Sequence, residues 1–150
     1  MSSIISALYE VKYNPFEYGS YMASFYYSLN ELENNILFSP LVIPLCSHPV
    51  YNTKILNSNV KSTIWSVFDD RSKNYDLQER IDNFQKLTEQ CIQFCLTNDW
   101  LYVDEDNLAL RVSEELKSTF VNQKSAEKLG RLFNGHSVVE IYAFLGVKPG

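Results

Sequence analysis

At 150 residues and a formal net charge of −5, the chain has room for one ordinary hydrophobic core and too little for two. Hydrophobic residues make up 45% and charged residues 21%, which excludes the disordered class. The acidic balance argues against unassisted wrapping of nucleic acid, whose phosphates require many Lys and Arg. The longest apolar stretch, residues 36–46, is interrupted by Ser39, Pro40 and Pro44 and falls well short of the roughly 20 residues of a membrane span.

The N-terminus, Met1 to Lys12, has neither a basic start nor a long apolar run, so no signal peptide is expected. Cys46, Cys91 and Cys95 form an odd set, which fits reduced thiols and a cytoplasmic chain better than a disulfide framework.

Asn14-Pro15-Phe16-Glu17 reads as a helix start: Asn14 caps, Pro15 suits the first helical position, and Glu17 completes a capping-box pattern. The helix is predicted to run to about Glu33. Tyr18, Tyr21, Phe25, Leu29 (or Ser28) and Leu32 form one stripe at helical spacing, while Met22, Ala23, Tyr26 and Tyr27 carry apolar surface beyond it. Residues 38–46 fit a buried strand or a short helix. Pro40 near a start and Pro44 one turn later favour a short kinked helix ending near His48-Pro49. The Asn- and Ser-rich stretch from Asn52 to Lys61 reads as a loop, and Ser62 to Phe68 as a short helix.

Asp76-Leu77-Gln78-Glu79 opens the clearest helix, in which Leu77, Ile81, Phe84, Leu87 or Thr88, Cys91 and Cys95 recur at steps of three and four up to Thr97-Asn98. The period then changes to two. Leu101-Tyr102-Val103 and Leu108-Ala109-Leu110 flank the turn-forming Asp104-Glu105-Asp106-Asn107, which predicts a hairpin over about 101–112. Ser113-Glu114-Glu115 restarts a helix reaching about Asn134, stopped by Gly135. Ser137 to Leu145 forms the last helix, closed by Gly146 and Pro149. The expected architecture is mainly α with a small β-hairpin: a winged-helix-like helical domain spanning 1–150, with a helical part at about 14–97, the hairpin, and C-terminal helices over about 113–146.

Chemistry is hard to find. Gly is scarce, with five in the chain, and neither a Walker-type loop nor a Gly-x-Gly-x-x-Gly pattern occurs, so no nucleotide cofactor is expected. Cys91 and Cys95 lie one helical turn apart, but with only Cys46, His48 and His136 to complete a set of four they read as small core positions rather than metal ligands. Cys46 and His48 point to different sides of a helix and lack a third orienting group, so no catalytic dyad is expected. Asp104, Glu105 and Asp106 lack the alternation and Gly of a calcium loop and read as a solvated turn.

Two surface features remain. The aromatic share, 14% from 10 Tyr, 9 Phe and 2 Trp, suits protein interfaces as well as cores. Tyr21, Phe25, Tyr26 and Tyr27 on the first helix, with Ile141, Tyr142, Phe144 and Leu145 at the C-terminus, are the candidate partner interface. Lys117, Lys124, Lys128 and Arg131 return to nearly one face of the helix expected after the hairpin, a candidate contact for DNA phosphates or an acidic partner. The alternative is an ordinary solvated face interleaved with Glu114, Glu115 and Glu127.

Leu129-Gly130-Arg131-Leu132-Phe133, followed by Ile141-Tyr142-Ala143-Phe144-Leu145-Gly146-Val147-Lys148-Pro149, resembles the closing signature of middle components of ABC-type three-component systems, the group that includes the middle subunit of Lamassu defence systems. Asn14-Pro15-Phe16, the Pro-interrupted run from Leu41 to Pro49 and the hairpin from Leu101 to Leu110 resemble earlier parts of the same pattern. The resemblance implies a non-catalytic adaptor that bridges an SMC-like (Rad50-like) ATPase to an effector, often a nuclease, in anti-phage or anti-plasmid defence. DNA is then reached through the complex, with no membrane and no small-molecule substrate. The competing reading from the residues alone is a winged-helix DNA-binding regulator.

Overall fold

Asn14 turns its side-chain Oδ1 to the Glu17 N–H at 2.9 Å, and Pro15 takes the first position of the helix that organises the chain, α1 (Pro15–Ser28). In the computed structural model the described residues are 4–5, 14–30, 33–69, 76–113 and 120–149. A 3-10 helix (Asn35–Phe38) follows α1 and runs into α2 (Ser39–Cys46), α3 (Tyr51–Leu56), α4 (Ile64–Val67), α5 (Leu77–Asn83) and α6 (Gln85–Thr97). Strands β1 (Leu101–Asp104) and β2 (Ala109–Val112) come next, then α7 (Lys124–Phe133) and α8 (Val138–Leu145). The fold is mainly helical with one small antiparallel hairpin, as the sequence predicts.

Helix α1 is buried almost all the way round: Gly19, Ser20, Met22, Ala23, Ser24, Phe25 and Tyr26 are covered, because α6 packs on one side and α7 on another. Small residues let both approach. A β-carbon on Gly19 would stand 2.9 Å from the Phe94 ring of α6, and one on Gly130 would stand 2.1 Å from Ser28 Oγ and 2.6 Å from the Phe25 carbonyl oxygen. The hydroxyls in this seam are spoken for. Ser28 donates to the Glu127 carbonyl at 2.7 Å, and Ser24 accepts from the Gln123 N–H at 2.9 Å while donating to the Val121 carbonyl. Above the seam Phe25, Phe38 and Phe133 meet with ring centroids 5.1 to 6.2 Å apart, inside one core that runs from Met22 to Val147.

The hairpin pairs Leu101 with Val112, Tyr102 with Arg111, Val103 with Leu110 and Asp104 with Ala109. Asn35 anchors it from outside. Its side chain accepts from the Leu110 N–H at 2.7 Å and donates to the Leu110 carbonyl at 3.1 Å, so one amide imitates a neighbouring strand on the outer edge of β2. The main chain of the same segment continues the pairing, Asn34 N–H to Asn107 O and Ile36 N–H to Leu108 O.

Four boundaries differ from the sequence reading. Helix α1 stops at Ser28 rather than Glu33, because the Asn134 side chain donates to the Ser28 carbonyl and accepts from the Asn30 N–H, a cap supplied from α7's end. The expected loop from Asn52 contains helix α3 instead. Tyr51 and Ile55 are buried a turn apart, and His48 Nδ1 accepts from the N–H groups of Val50 and Tyr51, doing the work of a cap with a residue not usually counted as one. The long helix from Leu77 is interrupted at Phe84, yet its predicted stripe of Leu77, Ile81, Phe84, Leu87, Cys91 and Cys95 is buried throughout. The helix expected from Ser113 begins only at Lys124: Ser24 holds Val121 and Gln123 in non-helical backbone, and residues 114–119 lie outside the described residues. The end of α8 agrees with expectation. Ser137 caps it and Gly146 closes it in left-handed backbone, φ 71°.

The α1–α7 seam makes Gly130→Ala the most informative core change. With Ser28 Oγ and the Phe25 carbonyl both inside contact distance, overpacking is expected to cost about 2–3 kcal/mol, seen as a lower thermal midpoint. Adding Ser28→Ala removes the hydroxyl but not the carbonyl, so the double variant recovers only part of the loss. An unchanged midpoint for Gly130→Ala would contradict the seam.

Candidate partner interface

The chemical groups singled out by sequence are structural. Cys46, Cys91 and Cys95 are buried free thiols, each pushed up to about 12 by burial, which keeps them protonated and poor nucleophiles. Cys95 donates to the Gly19 carbonyl at 3.2 Å, part of the α1–α6 contact. His48 is buried, with Nδ1 facing the start of α3 and Nε2 3.5 Å from Asp76. Asp104 is held below the usual carboxylate range by hydrogen bonds from Asn107 and Arg111, tying the hairpin turn together. Among the described residues no three His, Cys, Asp or Glu side chains come together in a way that holds a metal ion.

The residues expected to meet partners divide sharply. Phe25, Tyr26, Ile141, Tyr142 and Leu145 are core residues, and their place in an exposed interface is corrected on that ground. The two tyrosines are buried because the 3-10 helix offers them acceptors: Tyr26 donates to the Asn35 carbonyl at 2.8 Å and Tyr142 to the Leu37 carbonyl at 2.7 Å, with both phenols raised by burial. Tyr21 is half-buried and stacked on Tyr18. Tyr27 is half exposed, and Phe144 is half-buried against Trp65 at 6.2 Å.

Three exposed surfaces carry aromatic side chains instead. Trp65, 53% exposed on α4, leans on His136 at 5.1 Å and on Phe144 of α8. Ile64 and Val67 face the core, so the two residues between them in a one-turn helix, Trp65 and Ser66, face outward, and the capped Thr63-Ile64-Trp65-Ser66 pattern carries that signal. A second surface is a groove of about 290 Å³ between the end of α1 and the hairpin, lined by Tyr27, Asn30, Tyr102, Arg111 and Val112. A third begins at exposed Phe16, which meets the half-buried Phe94 edge-on, as Phe94 meets Trp100; behind them buried Phe120 lies tilted against Trp100.

The basic stripe is not free. Lys128 Nζ donates to the carbonyls of Leu56 and Ser58 at 2.6 and 3.0 Å, closing the end of α3. Arg131 pairs with Glu127 at 2.5 Å, and Glu127 also accepts from Asn122. Lys124 is exposed at the first turn of α7, and Lys117 lies outside the described residues. Since α7 begins at Lys124, residues 117 and 131 share no continuous helix. The hairpin packs on α1, α6 and the 3-10 helix, whereas α7 packs on α1, α2 and α3.

A family model described as ABC-three component (ABC-3C) system Middle Component 3 matches residues 2–149. No curated protein and no solved structure gives a match. Among the described residues no helix is long and apolar enough to cross a membrane.

The thiols give a direct test of this geometry. Their ordinary value is 9.0 and the fold raises it to about 12, so the fold prefers the protonated form. That preference is fully felt below the unfolded value and is lost as pH climbs toward the folded one. The thermal midpoint is expected to fall steadily between about pH 9 and pH 12. A chromogenic disulfide reagent at neutral pH should find no thiol in the native chain and all of them after denaturation. Rapid native labelling would contradict the burial.

Proposed function

The chain belongs to the ABC-three component (ABC-3C) system Middle Component 3 family, and from that membership we propose that it is a non-catalytic adaptor, one 150-residue unit joining an SMC- or Rad50-like ABC ATPase to an effector, often a nuclease. In this reading the system is a cytoplasmic, Lamassu-like defence complex, and DNA is met through the ATPase. The winged-helix-like outline, a hairpin beside a helical body, serves as a docking shape rather than a reader of DNA.

The observation that carries the proposal is Trp65. A half-exposed indole backed by Phe144 and His136 is the kind of anchor that dominates protein interfaces. The groove beside Tyr27 and Tyr102 belongs to other elements, so two partners have separate places to dock. The half-buried Phe144 is a rim residue of the Trp65 surface. With Lys128 spent on the end of α3, Lys124 and Arg131, the latter paired with Glu127, are the exposed cations of the described stripe, a small footprint for phosphate binding.

The test is co-purification with the ATPase and effector encoded beside it. Trp65→Ala is expected to weaken one partner by about 2 kcal/mol, roughly thirtyfold in Kd, and Tyr27→Ala to weaken the other, both with unchanged thermal midpoints. A chain that binds neither product overturns the adaptor. Salt-dependent binding of the isolated chain to duplex DNA, abolished by Lys124→Glu, would replace it with the regulator.

A further inference from the structure

The turn between α3 and α4 and one face of α7 enclose a pocket of about 370 Å³. Lys128, Arg131 and Leu132 line it from α7, within one helical turn of each other, and Asn59, Val60 and Ser62 line it from the turn. Among the described residues of this lining there are two cations and no acid, in a chain whose formal net charge is −5. Exposed Lys61 follows Val60 in the turn, and exposed Lys124 precedes Lys128 by one turn of α7, so positive charge continues past the rim.

Lys128 is occupied but not neutralised. The carbonyls of Leu56 and Ser58 that take its N–H groups carry no net charge, and an ammonium has a third N–H to give. Arg131 turns one nitrogen to Glu127, while its side chain stays 64% exposed, so the rest of the guanidinium fork keeps donors for a second acceptor. Apolar groups complete the site. Val60 is 100% exposed, and Leu132 is buried. The pocket also adjoins the Trp65 surface: Ser62 lies three residues before Trp65, and Leu132 four before His136, which the Trp65 ring meets edge-on.

We infer that this pocket receives an acidic side chain from the partner segment that covers Trp65, an Asp or Glu carboxylate held by Lys128 and Arg131 with an apolar neighbour against Val60. The inference rests on the adaptor reading. Charge selects the occupant. A carboxylate offers two oxygens to two cations whose donors are not exhausted, and an apolar residue beside it covers a valine that the fold leaves wholly in water. A nucleic-acid backbone is matched less well, because it asks for a row of cations along its length, whereas these two converge on one concavity.

The experiment uses the full chain with the purified ATPase and effector encoded beside it, and a short DNA duplex as the competing probe. Val60 is fully exposed, so both of its variants are expected to keep the wild-type thermal midpoint. Val60→Glu sets a carboxylate at the pocket mouth, and Val60→Lys removes the same apolar group with the opposite charge. The partner that Trp65→Ala weakens is expected to bind Val60→Glu roughly tenfold less tightly than Val60→Lys at low salt, with the gap closing as salt rises. Arg131→Gln is expected to weaken the same partner by about tenfold, and reversing one acid of that partner to Lys should restore its binding to Val60→Glu. Equal affinities for the two Val60 variants overturn the pocket and leave the adaptor in place. Binding of the duplex that Val60→Glu abolishes, with partner affinities unmoved, assigns the pocket to phosphate and overturns the inference as well. Failure of the wild-type chain to bind either partner overturns both readings.

Discussion

Helix α1 can sit where it does only because two glycines let its neighbours approach to backbone distance. Gly19 makes room for the Phe94 ring of α6, and Gly130 of α7 lies where any side chain would strike Ser28 and the Phe25 carbonyl. Bringing α7 this close exposes a row of polar groups to a dry seam. Ser24, Ser28 and Asn134 answer that by pairing with main-chain groups across it. The same contacts fix where α1 ends and where α7 begins, so the helix boundaries are consequences of the packing rather than of local propensity.

That order of causes explains what the sequence could and could not disclose. The stripe from Leu77 to Cys95, the hairpin turn of Asp104 to Asn107 and the Ser137 to Gly146 helix are written in local pattern, because each element's own residues supply its caps, turn and core face. The end of α1 at Ser28 and the start of α3 at Tyr51 depend on Asn134 and on His48, one far away in sequence and one of unexpected type. The aromatic surface was the hardest feature to place. Periodicity counts Phe25, Tyr26 and Tyr142 as apolar excess, but the 3-10 helix presents carbonyls inside the core where two tyrosine hydroxyls can end. Trp65 gives no periodic signal, because a one-turn helix is too short to display a period.

The chemistry of the interior and that of the surface are therefore separate. Inside, every sulfur and the buried imidazole serve packing or capping, with thiols held protonated by the cost of placing a charge in an apolar site. Outside, among the described residues, the rings of Phe16, Tyr27, Trp65 and Tyr102 stay half exposed or more. Group-specific reactivity requires exposed or perturbed side chains in a cleft, while recognition of another polypeptide requires flat apolar area and main-chain hydrogen-bonding groups.

The 3-10 helix from Asn35 to Phe38 links the candidate docking faces. Asn35 clamps β2 with its side chain and receives Tyr26 of α1 with its carbonyl. Two residues on, the Leu37 carbonyl receives Tyr142 of α8, the helix that supports Trp65 through Phe144. Hairpin and α8 thus hang from one short segment whose own hydrogen bonds are satisfied by both. Interfaces built on rigid elements lose less conformational entropy on binding than interfaces built on loops, and a partner seated on the hairpin and another seated on Trp65 would be held at a spacing set by four residues.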